Sequence, residues 1–121
     1  MKILVVDDEP QILALWKEIL EEKGHEVTTA VNGEDGLKLA LQSEYDLITT
    51  DYKMPKMNGL RFVQEYRRQR PNSQTVIWAI SGNMDEVEVR TAFEEAGVNR
   101  TLHKTTEGHT ALFELEDLVA K

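Results

Sequence analysis

Asp46-Leu47-Ile48-Thr49-Thr50-Asp51-Tyr52-Lys53-Met54-Pro55-Lys56-Met57-Asn58-Gly59 is the stretch from which the architecture of this 121-residue chain can be read. Residues 47–50 are apolar or β-branched and too few for a helix, so they read as a buried strand. The strand ends on a carboxylate, Asp51. The connection that follows holds Pro55 and Gly59, which stop the strand and restart the chain as a helix. An acid placed where a strand runs out into a loop sits at the rim of a sheet, where α/β proteins keep their chemistry. One such acid by itself says only that a strand has ended.

The same pattern recurs on both sides. Upstream, Ile3-Leu4-Val5-Val6 is a continuous apolar run, as expected of a parallel strand covered on both faces, and it stops at Asp7-Asp8-Glu9-Pro10. Pro10 suits the first turn of a helix, and acids at that end complement the helix dipole. This helix is expected to run through Lys23, with Ile12, Leu15, Trp16 and Ile19 at helical spacing and Gly24 as its C-terminal cap. Residues 25–30 read as a second strand, with His25 exposed where it begins. Asn32 can cap a helix over residues 34–43 whose inward face is Leu37, Ala40 and Leu41.

Downstream of Asp51, a helix over residues 58–70 turns Leu60 and Val63 inward, with Phe62 or Tyr66 beside them, and Pro71 ends it. Residues 75–80 form a fourth strand that finishes on Ser81-Gly82. Asn83 and Glu86, three apart, then read as a capping box at the head of a helix that reaches Ala96 and is closed by Gly97. A weaker fifth strand over residues 99–103 ends at Lys104, and a last helix over residues 107–120 carries Leu112, Leu115, Leu118 and Val119 on one face. Trp16 and Trp78 read as core.

Five strands alternating with five helices make an α/β fold, because parallel strands require helical crossovers and right-handed crossovers put helices on both faces. Pattern alone admits either common doubly wound order. The flavodoxin-like order 2-1-3-4-5 is the expectation; its switch point lies between the first and third strands, which brings Asp7, Asp8 and Asp51 to one crevice outside the carboxyl ends. Residues 1–121 are expected to form one domain, long enough to bury its core without staples.

The chain has no cysteine, hence no disulfide framework and no thiol chemistry, which suits a reducing cytoplasm. No apolar run approaches the roughly 20 residues that span a bilayer. The N-terminus is too short for a signal peptide and leads straight into acids. A net charge of −8 argues for a soluble acidic protein without nucleic acid or membrane as a direct partner. The basic residues Lys53, Lys56, Arg61, Arg67, Arg68 and Arg70 read as a solvated helix face rather than a docking face, and His103 and His109 are given no metal role.

Every chemical candidate stands just past the carboxyl end of a strand: Asp7 and Asp8, Asp51, Ser81 and Lys104. Three carboxylates in one crevice repel each other and raise one another's pKa unless cations intervene. Lys104 is one cation. A hard divalent ion is the other, and Mg²⁺ suits a site of one or two carboxylates, a carbonyl and waters. A carboxylate is a nucleophile able to form an aspartyl-phosphate. Phosphoryl transfer asks mainly for positioning and for neutralisation of charge on the equatorial oxygens, which metal, Lys104 and the Ser81 hydroxyl would supply from three sides of Asp51.

Taken in order and at these intervals, Asp7-Asp8, Asp51-x-x-Met54-Pro55-x-x-x-Gly59, Ser81-Gly82 and Lys104 resemble the receiver domain of two-component response regulators, of the stand-alone chemotaxis-regulator type, over the whole chain. The resemblance carries the same strand order. It implies that Asp51 accepts phosphate from the phosphohistidine of a sensor histidine kinase or histidine phosphotransfer protein. It implies Mg²⁺ ligated directly by Asp8, Asp51 and the Lys53 backbone carbonyl, with Asp7 acting largely through water. Lys104 would pair with the acceptor or its phosphoryl group. Ser81 would turn to the new phosphate and bias the face built from the fourth helix, fifth strand and fifth helix. Gly82 would leave room for the phosphoryl group, and Lys53 and Asn83 would tune its lifetime. An unidentified protein target would listen, with chemistry confined to Asp51 and no turnover of a separate substrate.

Two departures stand out. Thr101 occupies the position three before the lysine that is usually aromatic in the family, so the usual coupling of hydroxyl and ring is not expected. Thr105 follows the lysine where proline is normal; a cis bond before a non-proline costs about 2.5–4 kcal/mol, so a trans bond, or a rearranged loop that displaces Lys104, is expected there. They motivate the main rival, a pseudo-receiver that binds partners without switching. A flavin or nucleotide binder is disfavoured because Asp7-Asp8-Glu9-Pro10 presents repulsive charge to a phosphate. A free-standing phosphatase is disfavoured because Asp51-Tyr52-Lys53 lacks a second acid two residues on. After Lys104 there is room for one helix, so signal is expected to leave by docking to another protein, unless the chain is cut from a longer one.

Overall fold

A computed structural model describes residues 1–103. The elements are β1 (Lys2–Val6), α1 (Pro10–Glu22), β2 (Glu26–Ala30), α2 (Gly33–Gln42), β3 (Leu47–Thr50), α3 (Gly59–Gln69), β4 (Val76–Ser81), α4 (Val87–Ala96) and β5 (Arg100–His103). All strand pairs are parallel and the sheet order is β2-β1-β3-β4-β5, the doubly wound order expected. Lys104, Thr105, His109 and the expected helix over residues 107–120 lie outside the described residues.

The apolar runs of β1, β3 and β4 are continuous because helices cover both sheet faces. Ile3, Val5, Leu47, Trp78 and Ile80 pack with Leu13, Trp16 and Leu20 of α1. Leu4, Val6, Ile48 and Ile77 pack on the other face with Ala40 of α2, Phe62, Val63 and Tyr66 of α3, and Phe93 of α4. On α1 the stripe is centred on Leu13, Trp16 and Leu20, while the expected Ile12, Leu15 and Ile19 flank it half-buried. Helix ends are closed as their residues dictate. Asn32 and Asn58 accept the backbone N–H of Asp35 and Arg61, each at 2.8 Å. At Gly24 (φ +92°), Gly24 N–H donates to Glu21 and His25 N–H to Leu20, a Schellman pair that releases the chain into β2.

Three expectations need correction. The Asn83–Glu86 capping box does not form: α4 begins at Val87, Glu86 is its N-cap residue, and no side chain caps it. Ser81 Oγ instead accepts the Asn83 N–H at 3.1 Å, and Asn83 Nδ2 donates to Glu86 Oε1, so a local side-chain turn outcompetes the first helical turn. His25 is half-buried rather than exposed, with Nδ1 2.8 Å from the N-terminal amine; burial, that amine and Lys23 hold its pKa below the usual histidine value.

The third correction concerns the basic stretch. Arg61 and Arg68 flank Glu65 at the surface, but Arg67 is half-buried, and burial pushes its guanidinium below the ordinary arginine value. It donates to the carbonyls of Gly97 (3.1 Å), Ser73 (3.3 Å) and Thr75 (2.9 Å) and to Asn99 Oδ1 (3.2 Å), joining α3 to both ends of the chain entering and leaving β4 and α4. Asn99 Oδ1 also accepts the Ile77 N–H at 2.8 Å. Arg70 donates to the Leu41 carbonyl at the end of α2. Arg67→Met keeps much of the aliphatic stem and removes the fork. Hydrogen bonds to a charged group contribute roughly 1.5–3 kcal/mol each and are not additive, so a net loss of about 2–4 kcal/mol is expected. Urea unfolding checks this, with a lower midpoint and an unchanged slope as the predicted result.

Candidate functional site

The site follows from strand register. Val6 pairs with Ala30 on one side and Thr50 on the other, so β1 and β3 end level. The next residues leave the sheet together: Asp7 N–H donates to Ala30 O at 3.1 Å, and Asp51 N–H to Val6 O at 3.0 Å. Asp7, Asp8, Glu9 and Asp51 thereby form one group in which one carboxylate oxygen from each lies within 4.8 Å of the others. Asp7 is buried, Asp51 half-buried, Asp8 and Glu9 exposed, so the group opens outward from a fixed floor.

Two backbone donors set the carboxylates. Asp7 Oδ1 accepts the Glu9 N–H at 3.0 Å, and Asp51 Oδ1 accepts the Tyr52 N–H at 2.7 Å. Glu9 is the member that sequence reasoning misses, because an acid ahead of Pro10 reads as a complement to the dipole of α1. It is the N-cap residue of α1, has no side-chain capping bond, and stands with Asp7 and Asp8 ahead of a first turn that holds no acid. The signal that could have found it is the break itself: an acid between the end of a strand and Pro10 must project at the sheet rim. Carboxylates this close repel one another, and hard oxygens in such number suit a divalent cation that takes one or two carboxylates and keeps its waters.

The loop beneath Asp51 is fitted to it. Gly59 N–H donates to Tyr52 O at 2.7 Å, Thr50 Oγ1 donates to Asp51 O at 2.9 Å, and a Cβ on Gly59 would collide with the Asp51 carbonyl. Lys53 is exposed in that loop, and Lys56 turns the chain with φ +67°. Tyr52 reaches across to α4, its ring edge-on to Phe93 with centroids 5.4 Å apart.

The remaining candidates lie on neighbouring strands. Ser81, 2% exposed, ends β4 two positions beyond the Ala79 that pairs with Thr50. Its hydroxyl is engaged with Asn83. Thr101 is half-buried in β5 opposite Ala79. Gly82 is exposed, and a Cβ there would meet no atom within 4 Å, so packing does not demand glycine at that position. Asn83 is half-buried beside it.

Comparison with known proteins agrees with this arrangement. The sequence profile of the response regulator receiver domain matches residues 3–115. The chain belongs to that family. This receiver domain is 44% identical over 69 residues to the alkaline phosphatase synthesis transcriptional regulatory protein PhoP of Bacillus subtilis, a match covering 57% of the chain and 29% of PhoP. It is 35% identical over 86 residues to the response regulator ArlR of Staphylococcus aureus, covering 71% of the chain and 39% of ArlR. The matches therefore span well under half of these relatives.

Among solved structures, the receiver domain superposes on the chemotaxis protein CheY4 of Vibrio cholerae with a TM-score of 0.83, at 30% identity and 96% coverage of each chain. The response regulator TrrA of Thermotoga maritima, solved in complex with Mg²⁺-BeF, gives a TM-score of 0.75 at 31% identity and 97% coverage of each chain. Among the described residues no helix is long and apolar enough to cross a membrane.

Proposed function

We propose that this receiver domain is a phosphorylation switch. The Asp51 carboxylate attacks the phosphorus of a phosphohistidine on a sensor histidine kinase or histidine phosphotransfer protein. An O–P bond forms, the P–N bond breaks, and the imidazole nitrogen keeps the electron pair and takes up a proton. The observation that carries the reading is the convergence of Asp7, Asp8, Glu9 and Asp51 within 4.8 Å at the level ends of β1 and β3.

Mg²⁺ bound there would neutralise the phosphoryl oxygens and let them approach an acidic site. Asp8 and Asp51, with the Lys53 carbonyl, would hold it, and Asp7 would act through water. The Tyr52 N–H fixes one Asp51 oxygen and so orients the carboxylate. Lys104 would pair with the acceptor. Such chemistry is confined to the domain's own side chain, so the protein is not an enzyme toward a separate substrate.

Output would run through Ser81 and Tyr52. The Ser81 hydroxyl is held by one 3.1 Å bond from Asn83 N–H and a long 3.5 Å contact to Asn83 Oδ1, so turning to a phosphoryl oxygen gives up little. Tyr52 couples the acceptor to Phe93 of α4. Both bear on α4 and β5, the face toward which a downstream protein would dock. A second reading, binding without switching, is favoured by Thr101, which brings no ring to β5.

Incubation with Mg²⁺ and acetyl phosphate separates the two. Phosphorylation predicts an intact-mass gain of one phosphoryl group, abolished by chelation of the metal, together with changed amide exchange in α4 and β5. A protein that gains no mass is a binding module.

A further inference from the structure

Among the described residues, Trp16 Nε1 is the buried side-chain polar atom that lacks a hydrogen-bond partner. The residue is 5% exposed, and a buried indole N–H normally finds an acceptor. Trp16 also lines a cavity of about 10 Å³ together with Val5, Asp7, Thr49, Thr50, Asp51 and Ile80. Roughly 10–15 Å³ is the least space that holds one water, and a buried water needs two to four polar partners. Polar residues line this cavity, and two of them are Asp7 and Asp51, which follow β1 and β3.

We propose that Trp16 is a positioning residue for Asp51, acting through one buried water. This rests on Asp51 being the phosphoacceptor. The water accepts from the indole N–H and donates its two hydrogens to the carboxylates of Asp7 and Asp51. Its second lone pair faces the Thr49 hydroxyl, since the Thr50 hydroxyl already donates to the Asp51 carbonyl. An indole cannot do this directly for two acids; a water can, and it ties both to α1, whose Leu13 and Leu20 are anchored in the core. The tether holds the two carboxylates in fixed orientation.

The test uses the intact protein labelled with ¹⁵N at its two indoles, Trp16 and Trp78, assigned by the resonance missing in Trp16→Phe. The expected result is a long-lived water cross-peak to the Trp16 indole proton and a shift of that resonance, saturating, on titration with Mg²⁺ alone. Trp16→Phe keeps the ring packing and removes the donor. It should be phosphorylated by acetyl phosphate about two- to tenfold more slowly, the effect of one net hydrogen bond. A Trp16 indole with no water cross-peak, or a Phe variant phosphorylated at the wild-type rate, overturns the proposal. Failure of the wild type itself to be phosphorylated would count against Asp51 as acceptor, while the cross-peak and its Mg²⁺ response still decide on the water.

Discussion

Asp51→Asn is expected to yield a folded protein that gains no mass from acetyl phosphate and Mg²⁺, where the wild type gains one phosphoryl group. An amide oxygen is not a competent nucleophile toward phosphorus, so the loss is complete rather than partial. The fold should hardly register the change. The bond that Asp51 Oδ1 accepts from the Tyr52 N–H can be accepted equally by asparagine Oδ1, and one like charge leaves a cluster of four carboxylates. Stability should stay within about 1 kcal/mol of wild type. Asp8→Asn provides the contrast: it leaves the proposed nucleophile in place and removes one exposed carboxylate of the proposed metal site, so phosphorylation should slow and demand more Mg²⁺ without vanishing. Time courses of intact mass over a Mg²⁺ series measure both. An Asp51→Asn protein that gains mass like wild type would remove Asp51 from the role of acceptor.

Gly59→Ala should be the most destabilising small substitution near the site. Gly59 opens α3 and its N–H is bonded to Tyr52 O, so it cannot withdraw from the loop. The added methyl would meet the Asp51 carbonyl and crowd the Thr50 hydroxyl, and the first of these is backbone, not a side chain that can rotate away. Overpacking against fixed atoms costs about 1–3 kcal/mol and sometimes more; a loss of about 2–4 kcal/mol in urea unfolding is the expected outcome. Relief would come from pushing Asp51 outward, so phosphorylation of the folded fraction should fall as well. Wild-type stability in Gly59→Ala would show that the loop is looser than its contacts indicate.

The acids were legible in the sequence for a physical reason. Strands buried on both faces are continuous apolar runs, so their ends are sharp, and Asp7 and Asp51 stand at those ends. The sheet order was not legible from periodicity, which admits either common doubly wound order; the resemblance to receiver domains implied it. Sequence patterns report single elements, and what they missed involves pairs of elements. Glu9 joins the cluster because β1 and β3 end level, Arg67 is half-buried because the chain just after α4 and just before β4 presents carbonyls to it, and α4 starts late because Ser81 and Asn83 bond to each other. Trp16 reads as core from the sequence and is core, yet its unpartnered indole N–H, and the cavity it lines with Asp7 and Asp51, are facts of packing alone.

The measurement that bears most directly on the account is the location of the phosphoryl group. Protein treated with acetyl phosphate and Mg²⁺ is reduced with borohydride, which converts an aspartyl-phosphate to homoserine, then digested and sequenced by mass spectrometry. Conversion is expected at position 51 and at no other acid of the cluster. Conversion at Asp7, Asp8 or Glu9, or a phosphoryl group that resists borohydride on a serine or histidine, would contradict it.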